Sequence, residues 1–154
     1  MLQVGDAFPD FSLLNQDAET VTKADLTGAP AVIYFYPKDD TTGCTAEACE
    51  FQELAPDFSG SESPGARVVG VSPDNAKSHR KFADKYSLGF TLLADTEQLL
   101  ANACGVWVEK SMYGKKYMGV ERTTFVINAE GIVTAVFNKV KPKGHAKEVL
   151  ASLK

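Results

Sequence analysis

The sequence has no long basic run, no extended apolar run, and little cysteine or histidine. Its 16 Lys and Arg are outnumbered by 20 Asp and Glu, for a net charge of −4, which argues against nucleic acid or an anionic membrane as a partner. No apolar run approaches the roughly 20 residues that span a bilayer. Met1–Asp6 has no basic residue leading into an apolar stretch, so no secretory signal is expected. Three cysteines are an odd number, which suits a disulfide framework poorly and a reducing compartment well, so the expected location is cytoplasmic. There is no Cys-x-x-Cys motif, which disfavours a general disulfide exchanger. Cys44 and Cys49 lack the short spacing of zinc ligands, and His79 and His145 lie far along the chain. No metal and no cofactor is therefore expected. Repeats and low-complexity segments are also missing.

What is there fits a single domain over residues 1–154, with 44% hydrophobic and 23% charged residues. Phe11–Leu14 and Thr20–Thr22 read as short strands around an Asn15-Gln16-Asp17 turn. Ala31–Tyr36 reads as a buried central strand and Thr42–Ala55 as a helix stopping near Pro56, with Thr41 or Thr42 placed to cap it. Ser59–Gly65 reads as a solvent-exposed loop. Arg67–Val71 is a second buried strand. Ser72-Pro73-Asp74 then opens a helix running to about Tyr86, with Ser72 at the cap. Thr91–Ala94 is a third strand, and Asp95-Thr96 caps a helix that ends at Gly105. Thr123–Ile127 and Ile132–Phe137 form a hairpin around Asn128–Gly131, and Lys143–Leu153 is a terminal helix. This order implies an α/β sandwich of thioredoxin-like layout: a mixed central sheet flanked by helices, with an N-terminal β hairpin.

The densest chemistry lies in Pro37-Lys38-Asp39-Asp40-Thr41-Thr42-Gly43-Cys44-Thr45-Ala46-Glu47-Ala48-Cys49. Cys44 falls where a strand hands over to a helix. Free N–H groups and the partial positive charge of a first turn favour a thiolate there. A thiolate attacks an electrophilic oxygen and becomes a sulfenic acid, which a second thiol converts to a disulfide. Cys44 and Cys49 fit attacker and resolver. On an α-helix, however, five residues advance about 7.5 Å and separate the two Cα atoms by roughly 8–9 Å. A disulfide needs less than about 7 Å, so the first turns of the helix must unwind for the bond to form. The competing reading takes both as inert buried thiols. The polar, capped helix start at Cys44 argues against it.

Pro37-x-x-x-Thr41-x-x-Cys44 resembles the active-site signature of the peroxiredoxins, and Glu121-Arg122-Thr123-Thr124-Phe125 resembles that family's second, arginine-bearing motif. The position of Cys49 is similar to the resolving position of the peroxiredoxin Q subgroup, also called bacterioferritin comigratory protein. So are Gly70–Asp74, Lys85-Tyr86, Gly105-Val106-Trp107 and Lys115–Gly119. The resemblance covers Gly5 to about Leu150.

It implies that Cys44 is the peroxidatic nucleophile and that Thr41 donates a hydrogen bond to the thiolate or the peroxide. Pro37 shields the pocket, Arg122 stabilises the thiolate and the developing charge, Glu47 orients Arg122, and Cys49 resolves the sulfenic acid. The competing readings take Thr41 as a helix cap alone, Arg122 as half of a surface ion pair and Glu47 as a helix-surface residue.

The implied function is a thiol peroxidase for hydrogen peroxide and organic hydroperoxides, working as a monomer and recycled by thioredoxin or a similar dithiol. A one-cysteine peroxidase resolved by an external thiol, and a non-catalytic redox sensor or holdase, are the alternatives. Cys104 is expected to be core packing, His79 an exposed or half-buried helix residue, and His145 a solvated one. The Gly-Gly-Leu-Gly and C-terminal Tyr-Phe elements of overoxidation-sensitive relatives are lacking, which implies resistance to sulfinic acid formation.

Overall fold

A computed structural model describes residues 1–60 and 65–153. Residues 61–64, most of the expected Ser59–Gly65 loop, lie outside the described residues. The strands are β1 (Ser12–Leu14), β2 (Thr20–Thr22), β3 (Ala31–Phe35), β4 (Arg67–Ser72), β5 (Thr91–Ala94), β6 (Trp107–Met112), β7 (Lys115–Val120), β8 (Thr123–Ile127) and β9 (Val133–Phe137). The helices are α1 (Lys23–Leu26), α2 (Thr42–Gly60), α3 (Ala76–Tyr86), α4 (Leu99–Cys104) and α5 (His145–Ser152). Seven strands form one sheet in the order β2-β1-β5-β4-β3-β8-β9, while β6 and β7 pair only with each other. The centre β5-β4-β3 is parallel. β8 joins antiparallel to β3, β9 to β8, and β1 to β5. This is the expected mixed sheet, with the N-terminal hairpin incorporated at one edge.

β3 shows why the sheet is central. All five residues are buried, and successive side chains point to opposite faces. Val32 and Tyr34, continued by Tyr36, pack into one core with Phe51 and Phe58 of α2, Phe82 of α3, and Val149 and Leu150 of α5. Ala31, Ile33 and Phe35 pack into the other with Phe8, Val69, Val71, Leu100 and Cys104 of α4, and Phe125. The sheet thus separates two hydrophobic cores. Tyr34 and Phe51 stack at 4.6 Å between ring centroids and tie α2 to the sheet.

Four boundaries differ from the sequence expectation by more than one residue. α2 does not stop at Pro56 but continues to Gly60, so Ser59 and Gly60 are helical rather than loop. A proline inside a helix removes one hydrogen bond and costs about 3 kcal/mol. Here complete burial of Phe58 two residues later offsets that loss, and the Ser59 hydroxyl donates to the Ala55 and Pro56 carbonyls. α3 starts at Ala76, not at Pro73. Ser72 stays in β4, paired with Ala94, and Asn75 is the cap, its side chain accepting from the Ser78 N–H at 2.8 Å. α5 starts at His145 rather than Lys143 because Gly144 has φ +82°, outside the helical region. Asp95 serves its helix from a distance. Its carboxylate accepts from the Leu100 and Ala101 N–H groups at 3.1 and 2.8 Å, and Gly105 ends α4 with φ +77°.

Two elements have no counterpart in the sequence reading: α1 and the β6–β7 hairpin. The hairpin turns on Tyr113 and Gly114, both at positive φ (51° and 78°), which is the two-residue turn matched to strand twist.

The two histidines are corrections. His79 is fully buried and His145 is 3% exposed. His79 shares a face of α3 with Phe82 and Ala83, at the i, i+3, i+4 spacing of a buried stripe. His145 starts the stripe Ala146, Val149, Leu150, and its Nε2 lies 2.7 Å from Thr124 Oγ1. Cys104 is core packing as expected, at 0% exposure.

The Tyr34 hydroxyl is buried with no hydrogen-bond partner among the described residues. An unpaired buried polar group costs about 1–3 kcal/mol. Tyr34→Phe should therefore leave stability unchanged or raise the midpoint of thermal unfolding. A clear fall in Tm would show that the hydroxyl is satisfied.

Candidate active site

The site forms at the C-terminal end of β3 because of how β3 and β8 pair. β3 leads into the Pro37–Thr41 loop and α2. β8 runs antiparallel beside it, with Phe35 opposite Thr123. The residue just before β8, Arg122, therefore meets the residues just after β3. Residues 75 or more apart in sequence converge there without any long-range adjustment of the backbone.

Thr42 is the first residue of α2, and the Thr41 carbonyl accepts the Thr45 N–H at 2.8 Å, the opening bond of the helix. Cys44 lies in the first turn, among the N–H groups with no intrahelical acceptor, and is 1% exposed. Arg122 Nη2 donates to Cys44 Sγ at 3.1 Å, and Nη1 donates to Glu47 Oε1 at 3.2 Å. One guanidinium thus bridges the thiol and a carboxylate one helical turn later. Glu47 is 1% exposed. Burial outweighs the attraction of Arg122 and pushes its carboxyl up to about 7.

The arginine is held from both sides. Its carbonyl accepts the Val140 N–H at 3.0 Å. Its guanidinium lies over Gly43, where a Cβ would come within 2.9 Å of Nη2 and 3.3 Å of Pro142 Cγ. Gly43 is therefore a site residue that motif reading passed over. Its signal was only its place beside Cys44. The same 138–144 segment continues along α2, where the Gly144 N–H donates to Glu50 Oε1 at 2.8 Å.

Of the six expected site residues, the fold brings Cys44, Arg122 and Glu47 into direct contact. Pro37 and Thr41 lie on the loop entering the site, both half-buried. The Thr41 hydroxyl donates to the Lys38 carbonyl at 3.0 Å, closing the loop on itself. Cys49 is half-buried in an intact helix, and burial raises its thiol above the ordinary range. Cys44 faces a cation and Cys49 does not, so the two thiols have different environments before any reaction. Cys104 lies in the core on the other side of the sheet, its thiol pushed up to about 12 by burial and by Asp95. No group of three or more metal-ligating side chains occurs among the described residues, and no helix among them is long and apolar enough to cross a membrane.

A half-exposed thiol on an unbroken helix, a buried thiol at its start and an arginine on that buried thiol form an arrangement for two-step sulfur oxidation. The chain as a whole is similar to known proteins. The AhpC/TSA family profile matches residues 4–136. A putative peroxiredoxin bcp of Coxiella burnetii is 45% identical over 152 residues, covering 99% of both chains. Peroxiredoxin Q of Xanthomonas campestris superposes with a TM-score of 0.89 at 42% identity, covering 99% of this chain and 95% of that one. Structures of the same organism's bacterioferritin comigratory protein, described through trapped intermediates of alkyl peroxide reduction, match with a TM-score of 0.89 at 41% identity, covering 99% and 96% of the two chains. The thioredoxin-like fold, the family motifs and these relatives agree: the chain belongs to the AhpC/TSA family as a peroxiredoxin of the Bcp type, a peroxidase and oxidoreductase.

Proposed function

We propose that Cys44 attacks the terminal oxygen of hydrogen peroxide or an organic hydroperoxide, and that Cys49 resolves the product. The Cys44 thiolate takes one oxygen and the O–O bond breaks. The leaving alkoxide or hydroxide is protonated to alcohol or water. The resulting sulfenic acid condenses with the Cys49 thiol, releasing water and forming a Cys44–Cys49 disulfide. A dithiol reductant, thioredoxin or one like it, returns both thiols.

The observation that carries this reading is the Arg122 guanidinium bridging Cys44 Sγ and Glu47 Oε1. A fixed cation with a fork of donors lies where negative charge sits first on sulfur and then on the leaving oxygen, and such preorganised donors are usually the largest catalytic contribution. Glu47 fixes the fork, Gly43 gives it room, and Thr41 and Pro37 wall the approach. The reading assigns the activity to one domain spanning residues 1–154, acting as a monomer in the cytoplasm. The odd number of cysteines supports a reducing compartment; the monomer rests on the family resemblance alone.

Because both cysteines lie within α2, resolution requires its first turns to unwind. Glu47 lies between them, and its carboxyl is more easily protonated in the folded helix than in an unwound one. The folded state therefore binds more protons between the ordinary carboxylate range and about 7, and it loses stability relative to the unwound state as pH rises through that window. Rising pH should make resolution easier.

Four measurements test the scheme. Mixing pre-reduced protein with one equivalent of hydrogen peroxide, followed through Trp107 fluorescence and non-reducing peptide mapping, should give a Cys44–Cys49 link and a loss of far-UV helical signal. Cys49→Ser should keep the first oxidation and lose thioredoxin-linked turnover. Persistent turnover would instead support the one-cysteine scheme. Gly43→Ala should slow oxidation of Cys44 roughly 10- to 100-fold by displacing Arg122, short of or equal to the loss of a whole donor; an unchanged rate would remove Arg122 from its assigned role. Finally, the unfolding free energy of Glu47→Gln minus that of the wild type should grow from pH 5 to pH 8. A flat difference would mean Glu47 is ionised throughout.

A further inference from the structure

The loop that enters the site has a second set of contacts, unconnected with Arg122. Its middle residue, Asp39, has a buried carboxylate. Oδ1 accepts from the Tyr36 hydroxyl at 2.5 Å. Oδ2 accepts from the Ser78 hydroxyl at 2.8 Å and lies 2.7 Å from His79 Nδ1. The other imidazole nitrogen, Nε2, lies 2.9 Å from the Leu93 carbonyl oxygen of β5.

The proton count follows from these partners. A carbonyl oxygen can only accept, so Nε2 carries a hydrogen. A separation of 2.7 Å between Nδ1 and Oδ2 is a hydrogen bond, so a second proton lies there. Whether that proton sits on nitrogen or on oxygen, the pair holds one proton more than a neutral imidazole beside a carboxylate. Its removal would set two lone pairs against each other inside the protein, where neither can turn to water.

The neighbours do not supply a substitute. From β3, Tyr36 is already a donor, and burial, Tyr34 and Asp39 hold its hydroxyl well above the ordinary range, so it stays protonated. Tyr34, raised well above its ordinary value chiefly by burial, is likewise neutral. From α3, Ser78 is already used. From the β4–α3 connection, the Asp74 carboxylate accepts the Asp39 N–H at 2.8 Å and the Ser72 hydroxyl at 2.8 Å. Outside, Asp40 binds Lys85 Nζ at 2.8 Å and the Tyr86 hydroxyl at 2.7 Å, with its own backbone at φ +58°.

We propose that Asp39 is a positioning residue of the peroxidase: the proton it shares with His79 fastens the Pro37–Thr41 loop to α3 and β5, so that the loop stays in place when the adjoining turns of α2 unwind, and loss of that proton at alkaline pH releases it. This rests on the reading of Cys44 as the nucleophile. The loop carries Pro37 and Thr41 and leads directly into Cys44, so its release would enlarge the approach to the thiol. Misplacement by about 1 Å far from the chemistry can slow an enzyme about 100-fold.

The test is the pH dependence of single-turnover oxidation of pre-reduced full-length protein by hydrogen peroxide, with Cys44→Ser as the blank. The wild-type rate constant should pass a maximum and fall on the alkaline side. Asp39→Ala should lose about 10-fold or more at neutral pH. Asp39→Asn should recover most of that loss. Its amide can donate to a neutral Nδ1 and accept from Tyr36 without the shared proton, so its alkaline fall should vanish. Nitrogen-15 NMR of the imidazoles should show a far-downfield proton on His79 Nδ1 that disappears in Asp39→Asn, with His145 as the internal reference.

A wild type as inactive as the blank would overturn the nucleophile reading instead. A reactive wild type with no alkaline fall, or an alkaline fall that persists in Asp39→Asn, would overturn the anchor. If Asp39→Ala fails to fold by circular dichroism, the Asp39→Asn profile and the NMR signal decide alone.

Discussion

Everything at the site depends on one guanidinium being held against one sulfur. Arg122 reaches Cys44 only because β8 lies in register beside β3, because Gly43 lacks a side chain, and because Glu47 takes the other arm of the fork. Each of these conditions comes from a different part of the chain. The sheet supplies the register, the helix start supplies the gap, and the helix interior supplies the counter-charge. Displacing the arginine would leave a buried thiol with no cation and a buried carboxyl with no partner, an expensive arrangement in an apolar setting.

That arrangement conflicts with the chemistry that follows. The contacts proposed to activate Cys44 also stabilise the helix that separates it from Cys49, its proposed partner. Glu47 stands at the centre of the conflict, since its burial is useful for aiming Arg122 and unfavourable for the folded helix. Such tension suits a site that must be well ordered for one step and rearranged for the next. Local opening free energies well below the global value are the general property of segments that do this. The Asp39–His79 pair then marks where rearrangement should stop, with the loop before Thr41 fastened and the turns after it free to open.

Much of this was legible in the residues. β3, β5 and β8, the mixed sheet, the end of α3 at Tyr86 and the placement of Cys44 in a first turn followed from apolar runs and capping chemistry. The contact of Arg122 with Cys44 and Glu47 needed the family resemblance, because nothing local brings residues 75 and 78 apart together. What stayed hidden has physical causes. The β6–β7 hairpin touches a core only at its base, through Trp107 and Val120, and leaves Met112, Tyr113, Tyr117 and Met118 exposed, so most of its length lacks the alternation that burial imposes. Pro56 signalled a stop that the burial of Phe58 overrode. His79 was read as an exposed or half-buried helix residue, although its spacing to Phe82 and Ala83 was that of a buried face. Asp39, surrounded by polar residues in the sequence, gave no sign that its partners would come from β3 and α3.

The central sheet keeps the two hydrophobic cores apart, with Cys44 in one and Cys104 in the other. On the proposed scheme, only the core beneath α2 has to loosen in a catalytic cycle. The opposite core, built on Ile33, Phe35, Val71 and Phe125, can stay closed throughout, and it keeps the third thiol shut away from peroxide. In that scheme the sheet acts as a bulkhead: one compartment is opened and resealed at every turnover, while the other keeps the molecule afloat.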